Sequence, residues 1–161
     1  MTTGTWTIRP ARADDREALG RLGAMLMRVH HDFDPHRFLA PGAHAEEGYA
    51  AFLTSQLDDP DVLVLVAADG DRVLGYVYAG VEPMSWRELR DRAGFIHDLA
   101  VDTPARRQGV ATALLGAAID WLRSRGMPRV MLWTAHGNDA AQALFAREGF
   151  RRTMVEMTRE L

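Results

Sequence analysis

Residues 95–112 read Phe95-Ile96-His97-Asp98-Leu99-Ala100-Val101-Asp102-Thr103-Pro104-Ala105-Arg106-Arg107-Gln108-Gly109-Val110-Ala111-Thr112. The first part, through Val101, has the apolar and β-branched character of a strand, and Asp102-Thr103-Pro104 stop it. A short turn bearing two arginines and a glycine follows, and a helical pattern begins at once. The first N–H groups of a helix have no intrahelical acceptor, and its N-terminus carries roughly +0.5 of an elementary charge. A phosphate placed there is stabilised without help from a lysine. Gly109 and Ala111 have no side chain bulky enough to block its approach. The segment therefore reads as an anion cradle, against the plainer alternative of an ordinary strand-to-helix connection with solvated arginines.

Downstream, residues 110–125 turn Leu114, Leu115, Ala118, Trp121 and Leu122 inward, and Gly126 and Pro128 supply the stop. Residues 130–134 are a strand. A helix runs from Asn138 or Asp139 to Arg147 and is closed by Gly149, and residues 154–161 are a last strand. Upstream, residues 62–68 and 73–81 are apolar strands joined by Asp69-Gly70-Asp71-Arg72, a hairpin signal. Residues 5–9 open the chain as a strand stopped by Pro10. Asp14 then caps a helix, with Glu17 completing a capping-box pattern and Leu19, Leu22, Met25, Leu26 and Val29 forming its apolar stripe. A second helix over residues 46–57 shows Tyr49, Phe52, Leu53 and Leu57 on one side. Residues 30–42, rich in Asp, Pro and His, read as a loop. This order predicts an α/β sandwich on a mixed sheet, antiparallel at the hairpin and parallel where the helix over 110–125 crosses over.

The 161 residues fit one compact domain spanning 1–161, and 47% hydrophobic with 25% charged residues is a globular balance. No apolar run approaches the 18 or so residues of a membrane helix, so no membrane association is expected. The opening residues carry neither a basic nor an apolar segment, which predicts a cytoplasmic location. There is no cysteine, which excludes disulfides, thiolate metal sites and a cysteine acyl-enzyme. All 19 basic residues are arginine, so Schiff-base and P-loop chemistry are excluded as well. Ser55, Ser85 and Ser124 lie outside any nucleophile elbow. A net charge of −3 leaves no basic footprint for nucleic acid.

Arg106-Arg107-Gln108-Gly109-Val110-Ala111 resembles the Arg/Gln-x-x-Gly-x-Gly/Ala motif of the GNAT superfamily of acyl-CoA N-acyltransferases, and Leu99-Ala100-Val101 resembles that family's pantetheine-binding strand. Thr7-Ile8-Arg9-Pro10-Ala11 is similar to its opening strand, and Asn138 through Ala141, Leu144, Gly149 and Phe150 to its second cofactor helix. The resemblance covers nearly the whole chain and is least diagnostic over residues 43–86. It implies a GNAT-like fold: a mixed, mostly antiparallel sheet flanked by helices on both faces. It also implies acetyl-CoA as cosubstrate. The pyrophosphate would lie against Arg106, Arg107, Gln108, Gly109, Val110, Ala111 and Thr112. The main chain of Leu99, Ala100 and Val101 would pair with the pantetheine amides as an added strand does, and Asn138 would lie beside that arm as well as capping its helix. The family is often dimeric, so a homodimer is one state the resemblance allows.

Acyl transfer to an amine needs the nitrogen neutral, and a lysine-like amine with a pKa near ~10.4 calls for a positioned base at neutral pH. His97 stands where spermidine/spermine acetyltransferase-like members carry a glutamate proposed as base, and imidazole suits the task. Asp98 is the alternative base, and a hydrogen-bonded core histidine is the alternative reading of His97. Neighbours on a strand face opposite ways, so only one of the two is expected to point at a substrate. The sequence departs from the family at Phe145, where members often have a tyrosine that protonates the leaving thiolate; water or His136 would have to serve. His30, His31, Asp32, Asp34 and His36 offer no recognised metal-ligand spacing, and no metal is expected. Asp32, Asp34 and Glu82 are candidates to attract a cationic amine. The expected reaction is direct acetyl transfer to a small-molecule primary amine. A protein N-terminal amine is the runner-up acceptor, and a non-catalytic acyl-CoA-binding module is the alternative class.

Overall fold

The computed structural model describes residues 5–161; the reading of the chain's first residues falls mainly on 1–4, outside them. The chain runs β1 (Thr7–Pro10), α1 (Arg16–Phe33), α2 (Ala45–Ser55), β2 (Val62–Asp69), β3 (Arg72–Glu82), β4 (Ala93–Val101), α3 (Val110–Ser124), β5 (Val130–Leu132) and α4 (Asp139–Arg147). The strands form one sheet in the order β1-β2-β3-β4-β5. The first three pairings are antiparallel and β4–β5 is parallel. This is the mixed, mostly antiparallel sheet expected, with helices on both faces.

Alternation along β3 builds the two faces. Val77 and Ala79 point into a core closed by Val110, Leu114, Leu115, Ala118 and Leu122 of α3. Tyr76 points the other way, with Leu19 and Leu22 of α1 and Leu53 of α2. Leu114, Leu115 and Leu122 are fully buried, and each such side chain contributes about 1.5–3 kcal/mol of transfer free energy. Among the described residues no helix is long and apolar enough to cross a membrane.

Several expectations are corrected. β1 starts at Thr7 and keeps Pro10 as its last residue, a position at the sheet edge that Pro tolerates. Asp14 caps nothing; a 3-10 turn over Ala13–Asp15 precedes α1, and it is Asp15 that accepts from the Arg12 N–H and from both Arg9 guanidinium nitrogens. Helix α1 runs four residues into the expected loop, through Phe33, and His30 Nδ1 bonds the Leu26 carbonyl one turn back at 2.8 Å. α2 is Ala45–Ser55 rather than 46–57, and Phe52 on it is exposed. β5 ends at Leu132. The expected last strand over 154–161 is not formed, and every residue from 151 to 161 is exposed.

Candidate active site

The site begins with one extra residue. Asp98 pairs with Tyr78 and Ile96 with Ala79, so His97 has no partner on β3. Such a bulge interrupts the alternation of side chains. Ile96 faces the α3 core, while Asp98 bonds to tyrosines on the opposite face and His97 stacks there too. The expectation that His97 and Asp98 point to opposite sides is therefore wrong, because it assumed a regular strand. Leu99 and Val101 return to the α3 core and Ala100 to the other.

The bulge also marks where the sheet opens. β5 pairs with β4 only from Gly94 to Ile96, and beyond that no described strand covers the outer edge of β4. The backbone of residues 97–101 thus presents N–H and C=O groups to a cleft that an extended amide chain can fill. Just past β5, Thr134 Oγ1 is buried without a hydrogen-bond partner among the described residues.

Asp98 is held deep. The Tyr49 hydroxyl of α2 and the Tyr76 hydroxyl of β3 both donate to its Oδ2, at 2.7 and 2.9 Å. Burial dominates and pushes the carboxyl above the usual carboxylate range, more than the two hydroxyls pull it down. Burial, reinforced by the neighbouring carboxylate, pushes both tyrosine hydroxyls up. The tyrosines were missed in the sequence. Their signal was tyrosines on a buried strand and an apolar helix face, where each hydroxyl needs a partner.

His97 is more accessible. Its Nε2 lies 3.0 Å from Glu82 Oε1 at the end of β3, with both side chains about one-third exposed. Its ring stacks on Phe95 at 5.2 Å and tilts against Tyr78 at 4.8 Å. Trp133 meets Phe95 edge-on and Phe52 meets Tyr78 likewise, so His97 sits in the middle of an aromatic wall. An apolar groove of about 320 Å³, lined by Met27, Leu39, Ala45, Gly48, Tyr49 and Phe52, shares Tyr49 with the Asp98 cluster.

β4 leads through a 3-10 turn at Thr103–Ala105 to the arginine turn. Arg106 Nε reaches back 3.3 Å to the Val101 carbonyl. Arg107 and Gly109 have φ of 62° and 78°, a left-handed pattern that turns successive N–H groups toward one concavity. The earliest backbone bond of α3 runs from Ala113 N–H to the Gly109 carbonyl, which leaves the N–H groups of Val110, Ala111 and Thr112 free for an anion. A Cβ at Gly109 would meet nothing within 4 Å. The expected cradle residues thus stand together in open space, and their donors fit a pyrophosphate.

Asn138 caps α4, accepting from Ala141 N–H at 3.1 Å. Phe145 packs on the α3 core against Phe150. His31 Nδ1 is spent on the Phe38 carbonyl, and Asp34 accepts from the His36 and Arg37 N–H groups. Among the described residues no three His, Asp or Glu converge as metal ligands.

Residues 25–150 match the acetyltransferase (GNAT) family, and the chain belongs to that family. It is 40% identical over 98 residues to a mycothiol acetyltransferase of Beutenbergia cavernae, covering 60% of this chain and 31% of that protein. It is 37% identical over 87 residues to N-alpha-acetyltransferase 30 of Schizosaccharomyces pombe, covering 54% of this chain and 56% of that one. The chain thus spans less than two-thirds of either relative. A mutant of the BH1408 protein from Bacillus halodurans shares the fold with a TM-score of 0.82 at 20% identity, covering 96% of this chain and 99% of that one.

Proposed function

We propose that residues 1–161 act as a single acyltransferase domain that moves an acetyl group directly from acetyl-CoA to a primary amine of a small molecule. The observation that carries this is the continuity of the unpaired β4 edge with the free N–H groups at the start of α3. In this reading Arg106, Arg107, Gln108, Gly109, Val110, Ala111 and Thr112 hold the pyrophosphate, Leu99, Ala100 and Val101 take the pantetheine amides along the strand edge, and Asn138 lies beside them. Acetyl-CoA, when bound, supplies the activated acyl group.

His97 is the base. It stands on the accessible side of the bulge, and Glu82 orients its ring through Nε2. His97 takes the proton from the amine as the nitrogen attacks the thioester carbonyl, and the amide forms as the carbon–sulfur bond breaks. Asp98 is a positioning group rather than a second base, since one of its oxygens already accepts two hydroxyls in a buried setting. Phe145 has no proton to give, and a thiol with a pKa near ~8.5 leaves tolerably near neutrality with water returning the proton.

A protein N-terminal amine is the second reading, favoured by the likeness to N-alpha-acetyltransferase 30. A thiol-release screen with acetyl-CoA against polyamines, amino acids, aminoglycosides and short peptides separates the cases. Turnover on small amines alone supports the first reading and turnover on peptides alone the second. Binding of acetyl-CoA with no thiol release leaves a non-catalytic module.

A further inference from the structure

We propose that the acceptor is a primary amine on an alkyl arm that ends in an aromatic ring, with the ring seated in the apolar groove between α1 and α2 and the nitrogen delivered to His97. This names the substrate class of the acetyltransferase reading above and rests on it. Met27 of α1, Leu39 of the connection and Ala45, Gly48, Tyr49 and Phe52 of α2 line the groove. Its volume of about 320 Å³ is more than twice the roughly 150 Å³ of a cavity that takes up benzene. Leu39 is 80% and Phe52 45% exposed, and apolar surface left open together in this way marks a binding site. Gly48 keeps the groove open, since a Cβ there would meet nothing within 4 Å.

The groove leads to the base through its own wall. Phe52 meets Tyr78 edge-on at 5.7 Å, and Tyr78 lies 4.8 Å from His97, so an aromatic guest extends a row of rings that ends at the imidazole. Aromatic rings gain from such edge-on and offset contacts beyond the area they bury. The lining also shows what the guest lacks. None of the lining residues is charged, and the one hydroxyl among them, on Tyr49, is spent on Asp98. Beyond the groove, Asp98 already holds two hydroxyls and Glu82 is engaged with His97. A second ammonium group, as in a polyamine, finds no partner in the groove, and the hydroxyls of a sugar would be buried there without hydrogen bonds, which is costly. A guest with one amine at one end and a ring at the other leaves nothing unpaired.

Phenylbutylamine and butylamine share the arm and the amine and differ only in the ring, and spermidine carries an ammonium group where the ring would be. Their dissociation constants, measured by calorimetry on the protein alone, do not depend on catalysis. One methylene in a hydrophobic pocket is already worth about 10–200-fold in discrimination, so phenylbutylamine is expected to bind at least about 10-fold more tightly than either of the others. Gly48→Leu, whose side chain enters the open groove, should erase that advantage. It should not lower the unfolding midpoint, because glycine is the poorer helix former. Equal affinities for the three amines, tighter binding of spermidine, or a phenylbutylamine preference that survives G48L would each overturn the proposal. So would light scattering that shows a dimer broken by G48L, which would give the groove to a second copy. Thiol release from acetyl-CoA then separates this inference from the reading it rests on. Phenylbutylamine bound in the groove without thiol release refutes the acetyltransferase reading and upholds the groove's ligand, whereas release with spermidine but not with phenylbutylamine keeps that reading and removes this one. Should G48L lower the midpoint, Phe52→Ala, on the exposed side of α2, takes its place in the same comparison.

Discussion

Deleting the Tyr49 hydroxyl should cost the fold an amount set by the charge on Asp98. Tyr49 and Tyr76 donate to the same Oδ2 at 2.7 and 2.9 Å, so Tyr49→Phe keeps the ring and leaves the carboxylate one donor. A hydrogen bond to a charged group contributes about 1.5–3 kcal/mol and one between neutral groups about 0.5–1.5 kcal/mol. Y49F should therefore cost about 1.5–3 kcal/mol in the natural chain, but only about 0.5–1.5 kcal/mol beside Asp98→Asn, whose amide oxygen can take the same place. The coupling is about 1 kcal/mol. Its sign with pH follows from burial, which raises the folded pKa of Asp98 above its unfolded value. The protonated form is favoured by folding, so this stability is fully present below the unfolded pKa of about 3.9 and is lost as pH rises through the folded value. D98N, which does not titrate, should gain on the natural protein across that window, and the Y49F penalty should grow over it as the carboxylate ionises. Urea unfolding of the four proteins at about pH 4 and about pH 8 measures both. Additivity within about 0.3–0.5 kcal/mol at the higher pH would refute the charged, doubly bonded Asp98.

Gly109→Asp should abolish the calorimetric heat of acetyl-CoA binding, while Gly109→Ala, which carries the same positive-φ strain of about 1–2 kcal/mol without the charge, retains it; equal affinities in both would remove the pyrophosphate from this turn. His97→Ala should lower kcat/KM by about 10²–10⁴-fold, most steeply at low pH where neutral amine is scarcest, and an unchanged pH profile would move the base elsewhere. Glu82→Gln should lower kcat with little change in KM for acetyl-CoA, because the carboxylate touches the imidazole and not the cradle; a KM effect alone would make it an acceptor contact instead. Gly23→Ala would place a Cβ 2.0 Å from the Tyr49 ring, and overpacking of this kind should cost about 1–3 kcal/mol in thermal or urea unfolding, whereas a neutral result would mean that α1 and α2 can part freely.

Elements governed by local chemistry were legible in the sequence. The Asp69-Gly70-Asp71-Arg72 hairpin, the stripe of α3 and its stop at Gly126 are fixed by turn residues and periodicity, and they stand within a residue of their expected places. The turn at residues 106–109 was legible for the same reason, since a helix start after an arginine-glycine turn needs no distant partner to expose its N–H groups. What was not legible depends on tertiary pairing. The bulge at His97 exists only because Tyr78 and Ala79 step past it on β3, and nothing within residues 95–101 marks it. The Asp98–Tyr49–Tyr76 cluster joins residues 49 and 22 positions apart. The strand pattern at 154–161 was read from composition alone, and composition does not say whether an edge is present to pair with.

One unpaired residue accounts for most of the site's geometry. Without the bulge, with Ile96, His97 and Asp98 in regular alternation, Asp98 would turn with Ile96 toward the α3 core, where an apolar wall of Val110, Leu114 and Leu115 offers no donor and an ionised carboxylate would be costly to bury. With it, Asp98 meets two hydroxyls and His97 meets Glu82 on the same face. The sheet parts from β5 one residue earlier, after Ile96, so the base of the proposed reaction lies at the mouth of the cleft in which the thioester would run. Deleting His97 outright should then remove the imidazole and leave Asp98 where it is, because Ile96 faces the α3 core and Asp98 the other face, so that the two become neighbours in a regular strand opposite Ala79 and Tyr78. Activity should be lost while the stability of the Asp98 cluster is kept, as in His97→Ala, which keeps the bulge. A deletion variant less stable than the alanine variant by about 1.5–3 kcal/mol, the worth of a hydrogen bond to a charged group, would show that Asp98 had left Tyr49 and Tyr76 and that alternation does not set which way it points.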